Sequence, residues 1–342
     1  MLSVNTTLEQ HESLPAEKTA CPRAPSVELR CPVCNNHGFS LSYTSLAREH
    51  KPEACPGCSS LFVQDQGIWN ALPPERQKYF SHFIADYEFV RKAEGRGSPE
   101  AEFYLALPYR DVTERNSWQW FIRSRTYAYL ESRILPNLSS RTNQPMTILD
   151  LGAGNGWLSY RLARLGHRPI AVDLLTNDLD GLRAAMHYRK VLAEFFPRFQ
   201  AELDHLPFAE EQFDCAIFNA SFHYSEDYQR TLGEAIRCLR PGGTVVIADS
   251  PCYESESSGQ RMKEERQESF QRLFGFRSEG LHSVEYLTTE RLIALEVQHD
   301  LEWQAHQVWY GWRWACRPLL AKWRHRREPS QFRIYTAKVK ES

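Results

Sequence analysis

A glycine-rich stretch carries the strongest chemical signal in the chain. Gly152, Gly154 and Gly156 occupy alternate positions after an apolar run. Glycine lets the backbone turn tightly and approach a ligand without a Cβ in the way, and the helix that follows offers free N–H groups. A dinucleotide-binding fingerprint would need its third glycine where Trp157 stands. With Asp150 just before the glycines, the spacing favours a ligand whose ammonium and carboxylate groups are held beside the loop, rather than a pyrophosphate.

Acidic residues follow at positions that suit a nucleoside. Asp173 ends the next apolar run about 20 residues later, where a carboxylate can accept both hydroxyl protons of a ribose. Glu202 and Asp204 lie on either side of Leu203, and a later apolar run ends at Asp249. Of these carboxylates, Asp173 is the candidate partner for a ribose of the ligand.

Four of the nine cysteines form two C-x-x-C pairs. Cys31 and Cys34 make the first pair, Cys55 and Cys58 the second, and 20 residues separate the two. Each Cys-Pro-x-Cys turn directs two sulfurs at one metal, so the set predicts a zinc ribbon. Four thiolates leave no open coordination position, which makes the expected role structural. Two redox dithiols or unligated thiols are the alternative.

The elements that must position these residues alternate from residue 146 onward. Short apolar runs separated by helical stretches are typical of parallel βαβ units and predict an α/β, doubly wound, Rossmann-like sheet. The runs are 147–149, 169–172, 215–218 and 244–248, and two further strand-like pieces lie at 303–308 and 331–338.

The residues before this domain divide into three further regions. Apolar residues at helical spacing, with a Gly/Pro break at 95–99, predict a helical connector that leans on the sheet. We expect a disordered leader at 1–29, a zinc ribbon at 30–70, the helical connector or lid at 71–145, and the α/β domain at 146–342.

Composition narrows the functional class. The chain has 342 residues, 42% of them hydrophobic, and a formal charge of −2, which excludes disordered and coiled-coil proteins and disfavours an extended nucleic-acid surface. No stretch approaches the roughly 18 to 20 apolar residues that span a bilayer. The odd cysteine count and the lack of an apolar signal region favour a reducing, cytoplasmic location.

The motifs together give a resemblance. Residues from about 146 to 250 resemble a class I S-adenosylmethionine-dependent methyltransferase of the broad type 11 kind, which implies a seven-stranded sheet and S-adenosylmethionine as cofactor. Asp150 and the glycines match the motif that cradles the methionine part, and Asp173 matches the acid on the ribose. Glu202 stands where the family usually has Asp at the adenine, with Leu203 offering its N–H and Asp204 as the alternative contact. The implied cofactor residues are Asp150, Gly152, Ala153, Gly154, Gly156, Asp173, Leu174, Glu202, Leu203 and Asn219.

The resemblance also indicates where the methyl acceptor would enter. The loop at 219–224 would face the transferable methyl group, and His223 is the candidate general base because its ordinary pKa lies near neutrality. Packing at a helix start is the alternative role for His223. A helical cluster would stack on the acceptor, clamp a carboxylate, or simply pack on the sheet; its members are Tyr109, Arg110, Trp118, Trp120 and Arg123.

The acceptor itself is left open by the motifs. We expect a small-molecule or lipid-linked acceptor, because the net charge is −2 and no signature of an exocyclic-amine nucleic-acid enzyme is present. The zinc pairs give a partial resemblance to ribosomal RNA guanine methyltransferases with an N-terminal zinc site, so methylation of ribosomal or transfer RNA is one alternative. A cofactor-binding scaffold that docks a partner protein without turnover is another.

One further segment has an unusual composition. Residues 303–327 contain five of the nine tryptophans and six Lys or Arg, with no Asp or Glu. Such an insertion suits an anionic membrane surface, RNA, or packing of its rings on the core. A peripheral membrane location is therefore an extension of the cytoplasmic expectation.

Overall fold

The computed structural model describes residues 26–142, 145–277 and 281–341. The strands are β1 (Ser26–Arg30), β2 (His37–Ser42), β3 (Glu53–Ala54), β4 (Leu61–Asp65), β5 (Ile68–Asn70), β6 (Thr147–Leu151), β7 (Arg168–Asp173), β8 (Arg198–Gln200), β9 (Phe213–Asn219), β10 (Leu239–Ala248), β11 (Cys252–Tyr253), β12 (Leu287–Thr288), β13 (Gln304–His306) and β14 (Ile334–Lys338). The α-helices are α1 (Tyr43–Leu46), α2 (Pro74–Ala93), α3 (Ala101–Ala106), α4 (Ser117–Tyr129), α5 (Leu135–Thr142), α6 (Trp157–Arg164), α7 (Tyr228–Cys238), α8 (Glu256–Phe274), α9 (Thr289–His299), α10 (Trp312–Ala315) and α11 (Arg317–Trp323).

A single large sheet organises the molecule. Its ten strands run in the order β13-β14-β10-β9-β6-β7-β8-β5-β4-β3. The five strands from β10 to β8 are parallel, and β14 pairs antiparallel with β10. The seven strands from β13 to β8 confirm the predicted α/β fold. The sheet extends beyond them because β5 pairs in parallel with β8, and β4 and β3 follow.

Burial explains which strands could be predicted from the sequence. All five residues of β6 are buried, as expected for a parallel strand covered on both faces. The four predicted apolar runs lie in β6, β7, β9 and β10. Strand β8 was missed because it has three residues and begins with Arg198. That side chain is buried and donates to the carbonyl oxygens of Leu182 and Gln66, at 3.0 Å each.

The first described strand lies at the end of the range expected for the leader. Strand β1 begins at Ser26, inside the leader predicted for residues 1–29. Val27 and Leu29 are buried, and Leu29 forms a bridge with Phe208, so tertiary packing orders this polar-flanked segment. Residues 1–25 of the predicted leader lie outside the described residues.

The helices before the sheet follow the predicted periodicity. Helix α2 covers 74–93, a break follows, and α4 begins at Ser117. A π-helical turn, Leu130–Ile134, joins α4 to α5. Across the described ranges, no helix is long and apolar enough to cross a membrane.

The predicted insertion at 303–327 divides into two environments. Strand β13 confirms the strand-like piece at its start, and β14 confirms the later piece. Tyr310 is buried and Trp314 packs against the core, whereas Trp309, Trp312 and Trp323 are exposed. Packing on the core therefore accounts for only part of this aromatic segment.

Candidate functional site

A cavity of about 1120 Å³ lies where β6, β7 and β9 end. Ligands of open parallel sheets bind at the carboxyl ends of the strands, beside a change in strand order. Here β6 is the strand between β7 and β9, and the loops after all three contribute to the cavity wall. The predicted cofactor residues on this wall are Asp150, Gly152, Ala153, Gly154, Asp173, Leu174, Glu202, Leu203 and Asn219.

The glycine loop after β6 has a backbone conformation that residues with a Cβ rarely adopt. Gly152, Gly154 and Gly156 have φ values of +77°, +53° and +73°. A Cβ on Gly152 would lie 2.2 Å from the Cβ of Ser221, so the loop also packs too closely for any side chain. Gly152 donates its N–H to the carbonyl oxygen of Val172 at 2.8 Å, which fixes the loop against β7. Gly156 is not among the residues lining the cavity and instead starts α6.

Asp150 links the loop to the first turn of α6. Its Oδ2 accepts hydrogen bonds from the backbone N–H of Ser159 at 3.0 Å and from the Ser159 hydroxyl at 2.7 Å. Burial raises the pKa of Asp150 to about 7, while the bonds from Ser159 oppose that shift. Burial therefore favours the protonated form of Asp150 more than water does.

Asp173 is placed by two backbone donors. Its Oδ2 accepts from Gly154 at 2.7 Å and its Oδ1 accepts from Leu175 at 2.8 Å. Burial raises the pKa of Asp173 to about 6, and these two bonds partly counter the shift. Each carboxylate oxygen keeps lone-pair capacity toward the cavity, as binding of a diol requires.

Glu202 already has a strong partner. Nε of Arg76 lies 3.1 Å and 3.0 Å from its two oxygens, and a terminal nitrogen of Arg76 lies 2.5 Å from Oε2. Burial raises the pKa of Glu202 even so. Arg76 comes from α2, so this ion pair ties the helix to the loop after β8. Asp204, the alternative adenine contact, also lines the cavity and has Arg230 at 3.6 Å.

The end of β9 contributes an amide oxygen without a partner. Among the described residues, Oδ1 of Asn219 is buried and accepts no hydrogen bond. The next residue, Ala220, has φ +58° and donates its N–H to Ala248 at 2.9 Å. A buried acceptor without a partner on a cavity wall is expected where a bound ligand donates the missing hydrogen bond.

Helix α2 closes the opposite side of the cavity. Phe80, Phe83, Tyr87 and Arg91 lie three or four residues apart on one face and line the wall. Arg91 forms an ion pair with Asp180, also on the wall. The sequence left residues 71–145 as a connector or a lid, because packing helices and lid helices share the same periodicity.

S-adenosylmethionine fits this donor set. Its sulfonium and ammonium groups carry positive charge, which the carboxylates of the wall complement, and its own carboxylate suits the cations Arg91 and Arg123. The ribose diol of the ligand can donate hydrogen bonds to Asp173, and an amine or hydroxyl of the ligand can donate one to Oδ1 of Asn219. The apolar face of α2 offers surface for the uncharged parts of the ligand.

A second cavity of about 2080 Å³ adjoins the first. Residues that line both are Phe83, Tyr87, Arg91, Arg123, Ala220, Tyr224 and Leu281. Beyond this shared rim the second cavity is walled by distant elements, including Trp118 of α4, Phe270 of α8, Trp314 of α10 and Phe332. Of these lining residues, the sequence had suggested Trp118, Arg123 and three members of the loop at 219–224, namely Ala220, His223 and Tyr224.

His223 lines the second cavity, as its loop position suggested. Its Nδ1 lies 3.3 Å from the Ser250 hydroxyl. Burial lowers the pKa of His223 to about 3, helped by the nearby cations Arg266 and Arg123. The ring is therefore neutral at physiological pH and a weak proton acceptor.

Asp249 is a functional candidate that sequence reasoning missed. It follows the last residue of β10, has φ +51°, and lines the second cavity. Its Oδ1 accepts from the Thr126 hydroxyl at 2.6 Å, and that hydroxyl accepts from Tyr310 at 2.9 Å. Its Oδ2 is buried with no partner among the described residues. A strained backbone beside a half-satisfied buried carboxylate is typical of a functional site.

The helical cluster predicted near the acceptor is only partly gathered at the cavities. Arg123 lies at the shared rim and makes no ion pair within the described ranges; burial and the cations Arg96 and Arg91 lower its pKa to about 10. Trp120 is buried and packs edge-on against Trp157 at 6.0 Å. Tyr109 and Arg110 lie outside both cavities, and Arg110 faces Glu102 at 3.5 Å.

The four predicted metal ligands converge at one point. The sulfur atoms of Cys31, Cys34, Cys55 and Cys58 all lie within 4.8 Å of one another. The Cys31–Cys58 and Cys34–Cys55 sulfurs are each 3.6 Å apart, close to the edge of about 3.8 Å expected for a tetrahedron with Zn–S bonds of about 2.3 Å.

The two knuckles share one backbone geometry. In the first, the N–H of Cys31 donates to Asn36 and its carbonyl oxygen accepts from Asn35, each at 2.9 Å. In the second, Cys55 bonds in the same way to Ser60 and Ser59, at 2.8 Å and 2.9 Å. Such paired turns present sulfurs and backbone N–H groups to one centre. The cluster lines neither the first nor the second cavity, so its expected role is structural.

Comparison with known proteins finds a family and several relatives that are similar to part of this chain. The profile of the family described as "Methyltransferase domain" matches residues 149–247. An uncharacterised protein of Mycobacterium tuberculosis is 30% identical over 105 residues, which are 31% of this chain and 37% of that protein. A malonyl-[acyl-carrier protein] O-methyltransferase of Buchnera aphidicola is 28% identical over 130 residues, covering 36% of this chain and 49% of that enzyme. The chain thus spans less than half the length of these curated relatives.

A solved structure was also similar. That of a Burkholderia thailandensis 1,6-didemethyltoxoflavin-N1-methyltransferase with bound S-adenosylhomocysteine is 17% identical, covers 85% of this chain and 100% of its own, and has a TM-score of 0.45. The glycine loop, the acid after β7 and the strand order all fall within or beside the matched residues. Residues 149–247 thus match the model of the family described as "Methyltransferase domain".

Proposed function

We propose that the whole chain is an S-adenosylmethionine-dependent methyltransferase that acts on a small-molecule or lipid-linked acceptor. The observation that carries this proposal is the shared rim of the two cavities. The first cavity fits the cofactor, and the second opens beside it through Arg123, Ala220 and Tyr224. A methyl transfer needs two ligands aligned at such a junction.

The cofactor, when bound, supplies an electrophilic methyl group on a sulfonium. The chain's own contribution is then binding and alignment. Asp173 would hold the ribose, the glycine loop would lie against the methionine part, and Glu202 or Asp204 with Leu203 would contact the adenine. The aromatic face of α2 would keep water out of the junction.

Asp249 is the residue best placed to take a proton from the acceptor. Thr126 fixes one oxygen, the buried Oδ2 has no partner among the described residues, and Asp249 lines the second cavity. Burial raises the pKa of Asp249, which brings a carboxylate closer to the range useful for a general base. An acceptor with an O–H or N–H group would both satisfy Oδ2 and become more nucleophilic there. His223 remains the sequence-based candidate for the same role, with a pKa less suited to it.

The wall of the second cavity supports an acceptor with a flat or acyl body and a negative group. Its aromatic members surround the space, and its cations outnumber its carboxylates; the cations are Arg91, Arg96, Arg115, Arg123 and Arg266, and the carboxylates are Glu94, Glu114 and Asp249. Arg123 forms no ion pair with a carboxylate of the described residues. A relative named malonyl-[acyl-carrier protein] O-methyltransferase acts, by that name, on a carrier-linked acyl group, which is in keeping with this chemistry.

We also propose that the cysteine cluster holds zinc. The convergent sulfurs support it, and the pairing of β5 with β8 suggests what the metal would do. Residues 30–70 would form a ribbon that caps the edge of the sheet, residues 71–145 the lid, and residues 146–342 the catalytic domain. Metal analysis of protein purified without chelator should find about one zinc per chain. Absence of zinc would refute this part.

A labelled-methyl assay tests the function and the acceptor class together. Purified protein and cofactor labelled in the methyl group are incubated with a total lysate, which is then separated into small molecules, lipid, RNA and protein. The proposal expects label in the small-molecule or lipid fraction. Label in RNA would favour the ribosomal or transfer RNA alternative, and no label despite cofactor binding would favour a scaffold without turnover.

A further inference from the structure

The segment 312–327, here called the C-terminal hairpin, presents apolar side chains to solvent. It comprises α10, α11 and the four residues after α11. Trp312, Leu319 and Trp323 are 78%, 72% and 75% exposed, and Leu320 is also exposed. Large apolar side chains gathered in this way on a soluble surface indicate a site of interaction.

Cations surround these apolar side chains. Lys322, Arg324 and Arg326 are exposed and make no ion pair within the described part of the chain. No Asp or Glu occurs anywhere in the hairpin or in the nine residues before it. The positive charge is therefore left unneutralised by the hairpin itself.

A groove beside the hairpin concentrates this charge. Its volume is about 1230 Å³, and its walls carry five arginines, one histidine and a single carboxylate; the charged or ionisable members are Arg261, Glu265, Arg317, Arg324, His325, Arg326 and Arg327. The carboxylate, Glu265, is already paired with Arg327 at 2.6 Å. Leu320 lies in the same wall. Guanidinium groups in such a groove suit phosphate oxygens.

We propose that the C-terminal hairpin docks the protein on an anionic phospholipid membrane, with lipid phosphates in the arginine groove. Tryptophan and leucine side chains enter the boundary between headgroups and acyl chains, while lysine and arginine attract anionic lipid. The exposed leucines favour a membrane over RNA. RNA offers phosphates that pair with the cations and bases that stack on the tryptophans, but it offers no apolar surface for exposed aliphatic side chains. The inference does not depend on methyl transfer, because no residue of the cofactor cavity takes part.

Vesicle co-sedimentation of the full chain tests the inference. The vesicles are phosphatidylcholine alone or with about one-third phosphatidylglycerol, a content chosen to give an anionic surface. The expected result is binding to the anionic vesicles, at least about tenfold weaker to the neutral ones, and reversal by salt. The Trp312→Ser/Trp323→Ser protein and the Lys322→Gln/Arg324→Gln/Arg326→Gln protein should each bind about tenfold more weakly or worse.

Matched control variants distinguish the loss of this particular surface from the general effect of removing exposed apolar or positively charged side chains. Leu273→Ser/Val297→Ser removes two apolar side chains that are 71% and 79% exposed elsewhere, and Arg48→Gln/Arg189→Gln/Lys190→Gln removes three exposed cations elsewhere. Both control proteins should bind vesicles as the unaltered chain does, and thermal melts should show all variants folded. Failure of the full chain to bind anionic vesicles, equal losses in the control variants, or retention of RNA on filters without vesicle binding would overturn the proposal.

Discussion

The two adjoining cavities are built in different ways. The first is formed by loops that directly follow β6, β7 and β9, together with one face of α2, so backbone turns set much of its shape. The second is walled by side chains from elements far apart in the chain, from Val90 on α2 to Phe332 near β14. The proposed cofactor site therefore depends on the sheet, whereas the proposed acceptor site depends on helices and insertions that can vary without disturbing the sheet.

The sharpest test of this division is a substitution in the second cavity. Asp249→Asn should lower turnover on the identified acceptor by about a hundredfold or more, as loss of a general base does, while affinity for S-adenosylhomocysteine stays unchanged. The measurement is steady-state kinetics with calorimetry. His223→Gln should cost less, because its pKa is already lowered to about 3. The reverse order of effects would assign the base to His223.

The reciprocal test alters the backbone of the first cavity. Gly152→Ala places a Cβ 2.2 Å from that of Ser221, so the loop must move, and affinity for S-adenosylhomocysteine should fall by about a hundredfold. Gly166 is the control, since it also has a positive φ, +86°, with nothing within 4 Å of a Cβ. Gly166→Ala should cost about 1 kcal/mol of stability through its backbone alone and leave affinity intact. Equal affinity losses in both proteins would mean that backbone strain, not contact, is responsible.

A third test uses the charge of Asp173. Asp173→Asn should weaken S-adenosylhomocysteine binding by about tenfold, because an amide offers one acceptor oxygen to the diol instead of two. Burial raises the pKa of Asp173 to about 6, so lowering the pH through that value protonates it and should weaken binding to the unaltered protein. The Asp173→Asn protein should lack this part of the pH dependence, measured by titration at several pH values. Identical pH profiles would remove Asp173 from the ligand contacts.

The smallest expected effect concerns the tie between α2 and the sheet. Arg76→Gln leaves Glu202 mostly buried without its partner and should reduce the free energy of unfolding by about 1 to 2 kcal/mol. Adding Glu202→Gln removes the charge that was left unpaired, so the double variant should recover part of the loss in a double-mutant cycle. Denaturant unfolding gives these values. Purely additive losses would show that the ion pair contributes nothing specific.

The same division explains what the sequence could predict. The glycine loop, Asp173 and the cysteine pairs are local patterns, because a single turn of the chain brings the residues of each pattern into position. These patterns predicted the fold class and the positions of the candidate ligand sites. Asp249 carried no local pattern; its proposed role rests on Thr126, 123 residues away in sequence, and on an oxygen that has no partner among the described residues. The lid face of α2 had the right periodicity, but periodicity does not distinguish a helix that covers a ligand from one that covers a core.

The ten-stranded sheet, too, could be predicted only in part from local sequence patterns. Six of its strands follow from apolar or strand-like runs in the sequence: β6, β7, β9, β10, β13 and β14. Their extension requires β5 to pair with the three-residue strand β8, whose Arg198 concealed it. Pairing between short strands more than 100 residues apart leaves no trace in either segment.

Calorimetric titration of the purified, cofactor-stripped protein with S-adenosylmethionine and S-adenosylhomocysteine tests the central claim most directly. The account predicts about one binding site per chain for each ligand, as expected for one cofactor cavity of this fold, and loss of binding in the Gly152→Ala protein while it remains folded. No binding of either ligand by folded protein, or unaltered binding in the Gly152→Ala protein, would contradict it.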